Sequence, residues 1–76
     1  MEMTPVESSM IGAVGYDADK QELYVIFNNT GKTFIYEDVP RNVYEGLMAA
    51  GSKGSYMRDF IIDMYPYRLF GRGRRR

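Results

Sequence analysis

From Leu23 to Asn28 the chain alternates, with Leu23, Val25 and Phe27 at one parity and Tyr24, Ile26 and Asn28 at the other. Period-two alternation among β-forming residues predicts a strand. Asn29, Thr30 and Gly31 follow, residues that tolerate positive φ and suit a hairpin turn. Lys32 to Val39 then returns as another strand, placing Phe34 and Tyr36 on one side and Ile35 on the other. Upstream, Met10 to Tyr16 predicts a third, its apolar Ile11, Ala13 and Val14 interrupted by Gly12 and Gly15, and Asp17 to Gln21 supplies the polar turn between the two. Together these runs predict a three-stranded antiparallel meander.

At Pro40 the period changes. Proline at a first helical turn, then Val43, Tyr44, Leu47 and Met48, then Gly51, predicts a helix of about three turns. Ser52 is placed to cap a second helix, with Tyr56, Met57, Phe60, Ile61 and Met64 forming one apolar stripe and Pro66 ending it. Strands followed by helices imply an α+β fold, β-β-β-α-α, with both helices packed on one face of the sheet.

That arrangement leaves an anomaly. Leu23, Val25, Phe27, Phe34 and Tyr36 share the face beneath the helices, yet the opposite face, which should be polar, carries Tyr24, Ile26 and Ile35. Something is expected to cover them: Tyr67, Leu69 and Phe70 folding back, a second subunit, or a flat apolar ligand.

At 76 residues the chain has room for one domain, assigned to residues 1–70, with 71–76 as a flexible basic tail. The absence of cysteine and histidine excludes a disulfide scaffold, a thiol nucleophile and imidazole acid–base chemistry, and leaves no expected metal or cofactor. No carboxylate pair is visibly placed for catalysis, so the expectation is a binding module and not an enzyme. The longest unbroken apolar run, Leu23 to Phe27, is too short to span a bilayer, and no leader is evident, so a cytoplasmic protein without membrane association is expected.

Net charge is zero, but its distribution is uneven. Residues 1–50 hold Lys20, Lys32 and Arg41 against eight carboxylates, whereas residues 51–76 hold seven cations against Asp59 and Asp63. Four of the seven, Arg72, Arg74, Arg75 and Arg76, fall in the last five positions.

Two short motifs fail on spacing. Gly31-Lys32-Thr33 imitates the end of a phosphate-binding loop, but Ile26 stands where that loop needs its first glycine. Asp17, Asp19 and Gln21 imitate a calcium loop, but Glu22 and Asn28 stand where glycine and glutamate are required. Ser52, Lys53 and Gly54, opening the second helix, offer a modest anion site, against the simpler reading that Ser52 only caps and Gly54 only permits close packing on the first helix.

Val39-Pro40, then Val43, Tyr44, Leu47, Met48, Ala49 and Ala50, then Ser52-Lys53-Gly54 with Tyr56, and finally Tyr65-Pro66-Tyr67-Arg68 occur together in that order. In these residues the chain resembles the KTSC domain family over roughly Thr4 to Phe70. That family occurs at the C-terminus of some lysyl-tRNA synthetases and alone in small bacterial proteins. No activity is established for it, and the resemblance implies association with RNA only through that company. Phe34-Ile35-Tyr36 stands at the family's Tyr-x-Tyr position, one hydroxyl short, and Phe60, Ile62 and Met64 stand where relatives often carry polar or basic side chains.

Two functions follow as expectations. The first is RNA binding, with Lys53, Arg58, Arg68, Arg72, Arg74, Arg75 and Arg76 neutralising phosphates and Tyr65 and Tyr67 stacking bases. The alternative is a protein-interaction or self-association module using Tyr24, Ile26, Ile35 and Ile62 as an apolar patch.

Overall fold

The structure is a computed structural model, and it describes residues 2–70. Its sheet has five antiparallel strands in sequence order: β1 (Thr4–Pro5), β2 (Ile11–Asp17), β3 (Glu22–Phe27), β4 (Thr33–Tyr36) and β5 (Tyr67–Leu69). The predicted meander is therefore its middle, β2 to β4, and the three-strand expectation is corrected by one strand at each edge. Both additions are too short to show alternation. Pro5, which has no N–H to donate, is tolerated because β1 is an edge strand, and β5 begins directly after Pro66.

The β3–β4 turn uses Gly31 at φ 71°, with its N–H bonded to the Phe27 carbonyl at 2.8 Å. Two further left-handed residues, Gln21 (φ 55°) and Asp38 (φ 60°), carry no glycine to announce them. They lie at either end of a long-range contact, in which the Val39 N–H bonds the Gln21 carbonyl at 2.9 Å.

In β2 the apolar spacing has a physical reason. The register slips between Ile11 and Ala13, so Ile11 opposes Phe27 while Ala13 opposes Ile26. This β-bulge at Gly12 lets Ile11 and Val14, three residues apart, both reach full burial on one face. A Cβ at Gly12 would stand 2.7 Å from the Asn28 Oδ1, so a side chain there would displace the Asn28 amide.

Helix α1 (Arg41–Ala49) starts after Pro40 and ends directly before Ala50 and Gly51. Helix α2 (Lys53–Tyr56) is one turn, capped by Ser52, whose hydroxyl accepts the Ser55 N–H at 3.4 Å. It does not continue as an α-helix. Met57–Ile61 is a π-helical turn, closed by the Ile62 N–H on the Met57 carbonyl at 2.8 Å. The expected five-residue stripe is corrected accordingly. The wider turn keeps Met57 and Ile61 buried but rotates Phe60 outward, and Met64 lies beyond the helical segment; these two are 55% and 67% exposed.

Leu47, Met57 and Ile61 meet Ile11, Val14, Leu23, Val25, Phe27, Tyr36 and Val39 in a single core, so the helices cover one sheet face as expected. No helix among the described residues is long and apolar enough to cross a membrane.

Candidate functional site

Directly opposed residues of an antiparallel pair share a face. Tyr36 opposes both Leu23 of β3 and Tyr67 of β5, and Phe34 opposes Val25 and Leu69. The helix-side face therefore continues through Phe27, Phe34, Tyr36 and Tyr67, and these four rings line an open groove of about 500 Å³. Ile62, after the π-turn, closes one side; Ser9 and Met10 before β2, with Asn29 and Thr30 of the β3–β4 turn, complete the rim.

The rings are ordered against one another. Phe34 meets Phe27 edge-on at 5.2 Å and stacks on Tyr67 at 5.1 Å with 24° between planes; Tyr67 also leans on Tyr36 at 5.7 Å. Tyr36 is buried, and burial, aided by the nearby Tyr67 and Asp63, pushes its phenol up to about 12, so it stays neutral as part of the wall. Tyr67, by contrast, is 57% exposed and presents much of its ring to solvent. An open aromatic surface rimmed by hydroxyl and amide groups suits a flat ligand with polar edges.

The expected nucleic-acid residues are distributed around this groove unevenly. Lys53 and Arg58 lie beside it, in a shallow hollow with Glu7, Ser8, Ser52 and Ser55 that shares Ser9 and Met10 with the groove. The Lys53 ammonium donates to the Ala50 carbonyl at 3.0 Å, at the C-terminal end of α1, and the Arg58 guanidinium donates to the Ser55 hydroxyl at 3.2 Å. Gly54 gives close approach not to α1 but to Met10, whose Sδ would lie 3.1 Å from a Cβ there. Tyr65 packs against the core, whereas Tyr67 stands in the groove. Arg72, Arg74, Arg75 and Arg76, and with them the 71–76 tail, lie outside the described residues.

Arg68 is on the opposite face. There it opposes Ile35, which in turn opposes Tyr24. Its guanidinium donates to the Glu37 carboxylate and, at 3.2 Å, to Glu22 Oε2. Glu22 Oε1 accepts the Tyr24 hydroxyl at 3.3 Å, and Phe70 meets the Tyr24 ring edge-on at 5.8 Å. The outer apolar face is thus covered in part by the chain's own C-terminal residues. Ile35 is only 2% exposed, while Tyr24 and Ile26 are half-buried. Ile62, grouped with these three from the sequence, lies on the other side of the sheet, against the core and in the groove. Of the residues expected to fold back over the outer face, Phe70 does so; Tyr67 and Leu69 have the parity of the helix side.

Phe34 and Tyr36 read from the sequence as core, and Phe27, Ser9, Met10, Asn29 and Thr30 carried no signal of a site. The missing piece was β5. Without it nothing places Tyr67 next to Phe34, and the aromatic run is not visible as a surface.

Comparison with known proteins agrees with this architecture. The KTSC domain family profile matches residues 7–65. A protein of Tsukamurella paurometabola is 42% identical over 59 residues, 78% of this chain and 87% of that one. The crystal structure of a KTSC domain protein from Yersinia pestis superposes with a TM-score of 0.88 at 34% identity, over 92% of this chain and 97% of the other. Sequence profile and fold concur, and the chain belongs to the KTSC domain family.

Proposed function

We propose that this domain is a non-catalytic module that binds single-stranded RNA, taking unpaired bases against the rings of Phe34 and Tyr67. The observation that carries this reading is the open groove in which four aromatic rings from three adjacent strands lie side by side. A base offers a π-face to such a surface whatever its identity, and each stacked base contributes about 1–3 kcal/mol. Asn29, Thr30 and Ser9 offer hydrogen-bonding groups at the rim for base edges. The phosphates run toward Lys53 and Arg58, across Ser9 and Met10, which border both hollows. Arginines 72, 74, 75 and 76 follow Phe70 in sequence and add charge to the same half of the chain. Tyr65 and Arg68 drop out of the binding set, the first packed on the core and the second paired with two carboxylates.

Self-association through the outer face has less support, since Ile35 is covered and Ile62 is on the wrong side of the sheet. The test is fluorescence anisotropy of a labelled single-stranded RNA against the full chain at several salt concentrations. Four to six phosphate contacts give a log–log slope of about −3 to −4, and Tyr67→Ala lowers affinity by about 1–3 kcal/mol. A flat salt dependence, or a Tyr67→Ala affinity equal to the parent, contradicts the reading.

A further inference from the structure

Tyr67 is the most exposed of the four rings in the groove, yet it belongs to a three-residue edge strand. So short a strand has little of its own to fix a side chain. The Tyr67 ring rests on Phe34 and Tyr36, and further restraint comes through its two neighbours in sequence. The residue before Tyr67 is held through its backbone, the Pro66 carbonyl accepting the Glu37 N–H at 2.8 Å. The residue after it is held through its side chain, the Arg68 guanidinium donating to the Glu37 carboxylate and to Glu22. Glu37 therefore grips both neighbours of Tyr67, and Glu22 anchors the same arginine to β3, two strands away. Alternation does the rest: with Arg68 pinned on the outer face, Tyr67 must point into the groove.

We propose that Arg68, Glu37 and Glu22 are positioning residues for the groove, holding Tyr67 in place to receive a base without touching the ligand themselves. The proposal rests on the base-stacking reading above. It makes an electrostatic prediction opposite to the obvious one. Removing two carboxylates from a protein should strengthen its binding to RNA; here it weakens it, because the lost ion pairs free the strand that carries Tyr67.

The experiment compares the parent chain with the Glu22→Gln/Glu37→Gln double variant and with Arg68→Met, in single-stranded RNA affinity and, by NMR, in the exchange of the Phe70 amide and the ring chemical shift of Tyr67. Expected is a roughly fivefold loss of affinity in both variants, about the low end of one stacked base. The salt slope stays as in the parent, and exchange of the Phe70 amide, which bonds the Thr33 carbonyl across β4 and β5, accelerates. Arg68→Lys, which keeps a donor, recovers part of the affinity. Unchanged or tighter binding by the double variant overturns the proposal, as does a salt slope shallower by about one in Arg68→Met, the mark of a direct phosphate contact. If the parent binds no single-stranded RNA, the base-stacking reading falls separately. The clamp is then judged on β5 alone: faster exchange of the Phe70 amide and a moved Tyr67 ring signal uphold it, and parent-like values overturn it.

Discussion

The ring of Tyr56 lies directly against Gly46 of α1: a Cβ at position 46 would stand 2.8 Å from Cζ of that ring, and closer still to its hydroxyl. The same ring meets Phe60 at 4.7 Å, so the contact continues into the π-turn. Glycine inside a helix costs about 1 kcal/mol relative to alanine, but here it gives the two helices their close approach. Gly46→Ala is expected to destabilise the domain by about 1–2 kcal/mol, overpacking outweighing the gain in propensity. In a Tyr56→Ala background the sign reverses and Gly46→Ala stabilises. Urea unfolding of the four proteins of this cycle measures the coupling.

Ile35 behaves as core despite its place on the outer face. At 2% exposure it lies between Tyr24 and Arg68 on the flanking strands. Ile35→Ala should cost about 2–4 kcal/mol. Ile35→Lys, a mild surface change if the face were open, is expected to cost more by burying a charge, while Ile26→Lys at a half-buried position is tolerated. Thermal unfolding of the three variants separates the cases.

Alkaline pH should weaken the fold. Tyr36 is held neutral to about 12, against an ordinary value of 10, chiefly by burial. Burial also raises Tyr16, whose hydroxyl donates to the Val39 carbonyl at 2.6 Å, and Tyr24. A raised pKa on a group that becomes an anion means the native state keeps the proton longer than the unfolded chain. The stabilising contribution is therefore complete below pH 10 and is lost as pH rises from 10 through about 12. Unfolding free energy measured across that window should decline, and Tyr36→Phe should make the decline shallower.

Ser52 caps a helix of one turn, so its loss should be felt. Ser52→Ala removes the acceptor for the Ser55 N–H and is expected to cost about 1 kcal/mol, whereas Ser52→Asp retains the cap. Denaturant midpoints of the two variants against the parent check this.

What could be read in advance was whatever repeats with a period. Leu23 to Phe27 alternates long enough to define β3, and Gly31 marks the turn that returns β4 beside it. Pro40 and Gly51 bracket α1 for backbone reasons that any sequence displays. The features that build the site lack a period. Tyr67-Arg68-Leu69 is a strand only because β4 offers it an edge, and three residues cannot display alternation by themselves. The π-turn at Met57–Ile61 leaves the same apolar spacing as an α-helix would, so the outward rotation of Phe60 is decided by packing and not by sequence pattern. Ile11 and Val14 do carry a trace of the bulge, since core residues three apart in a strand require an inserted residue, and Gly12 is where it fits. The groove stayed hidden because Phe34 and Tyr36 look like core until Tyr67 is set beside them.

Stacking of unpaired bases in the groove of Phe34 and Tyr67 is decided by NMR titration of the labelled chain with a mixed pool of short single-stranded RNA at physiological salt. Base stacking there moves the ring signals of Phe34 and Tyr67 and the amides of Ser9, Met10, Asn29 and Thr30, with weaker shifts at Lys53 and Arg58. Shifts confined to residues 71–76 and abolished by that salt, with the groove signals unmoved, would contradict it.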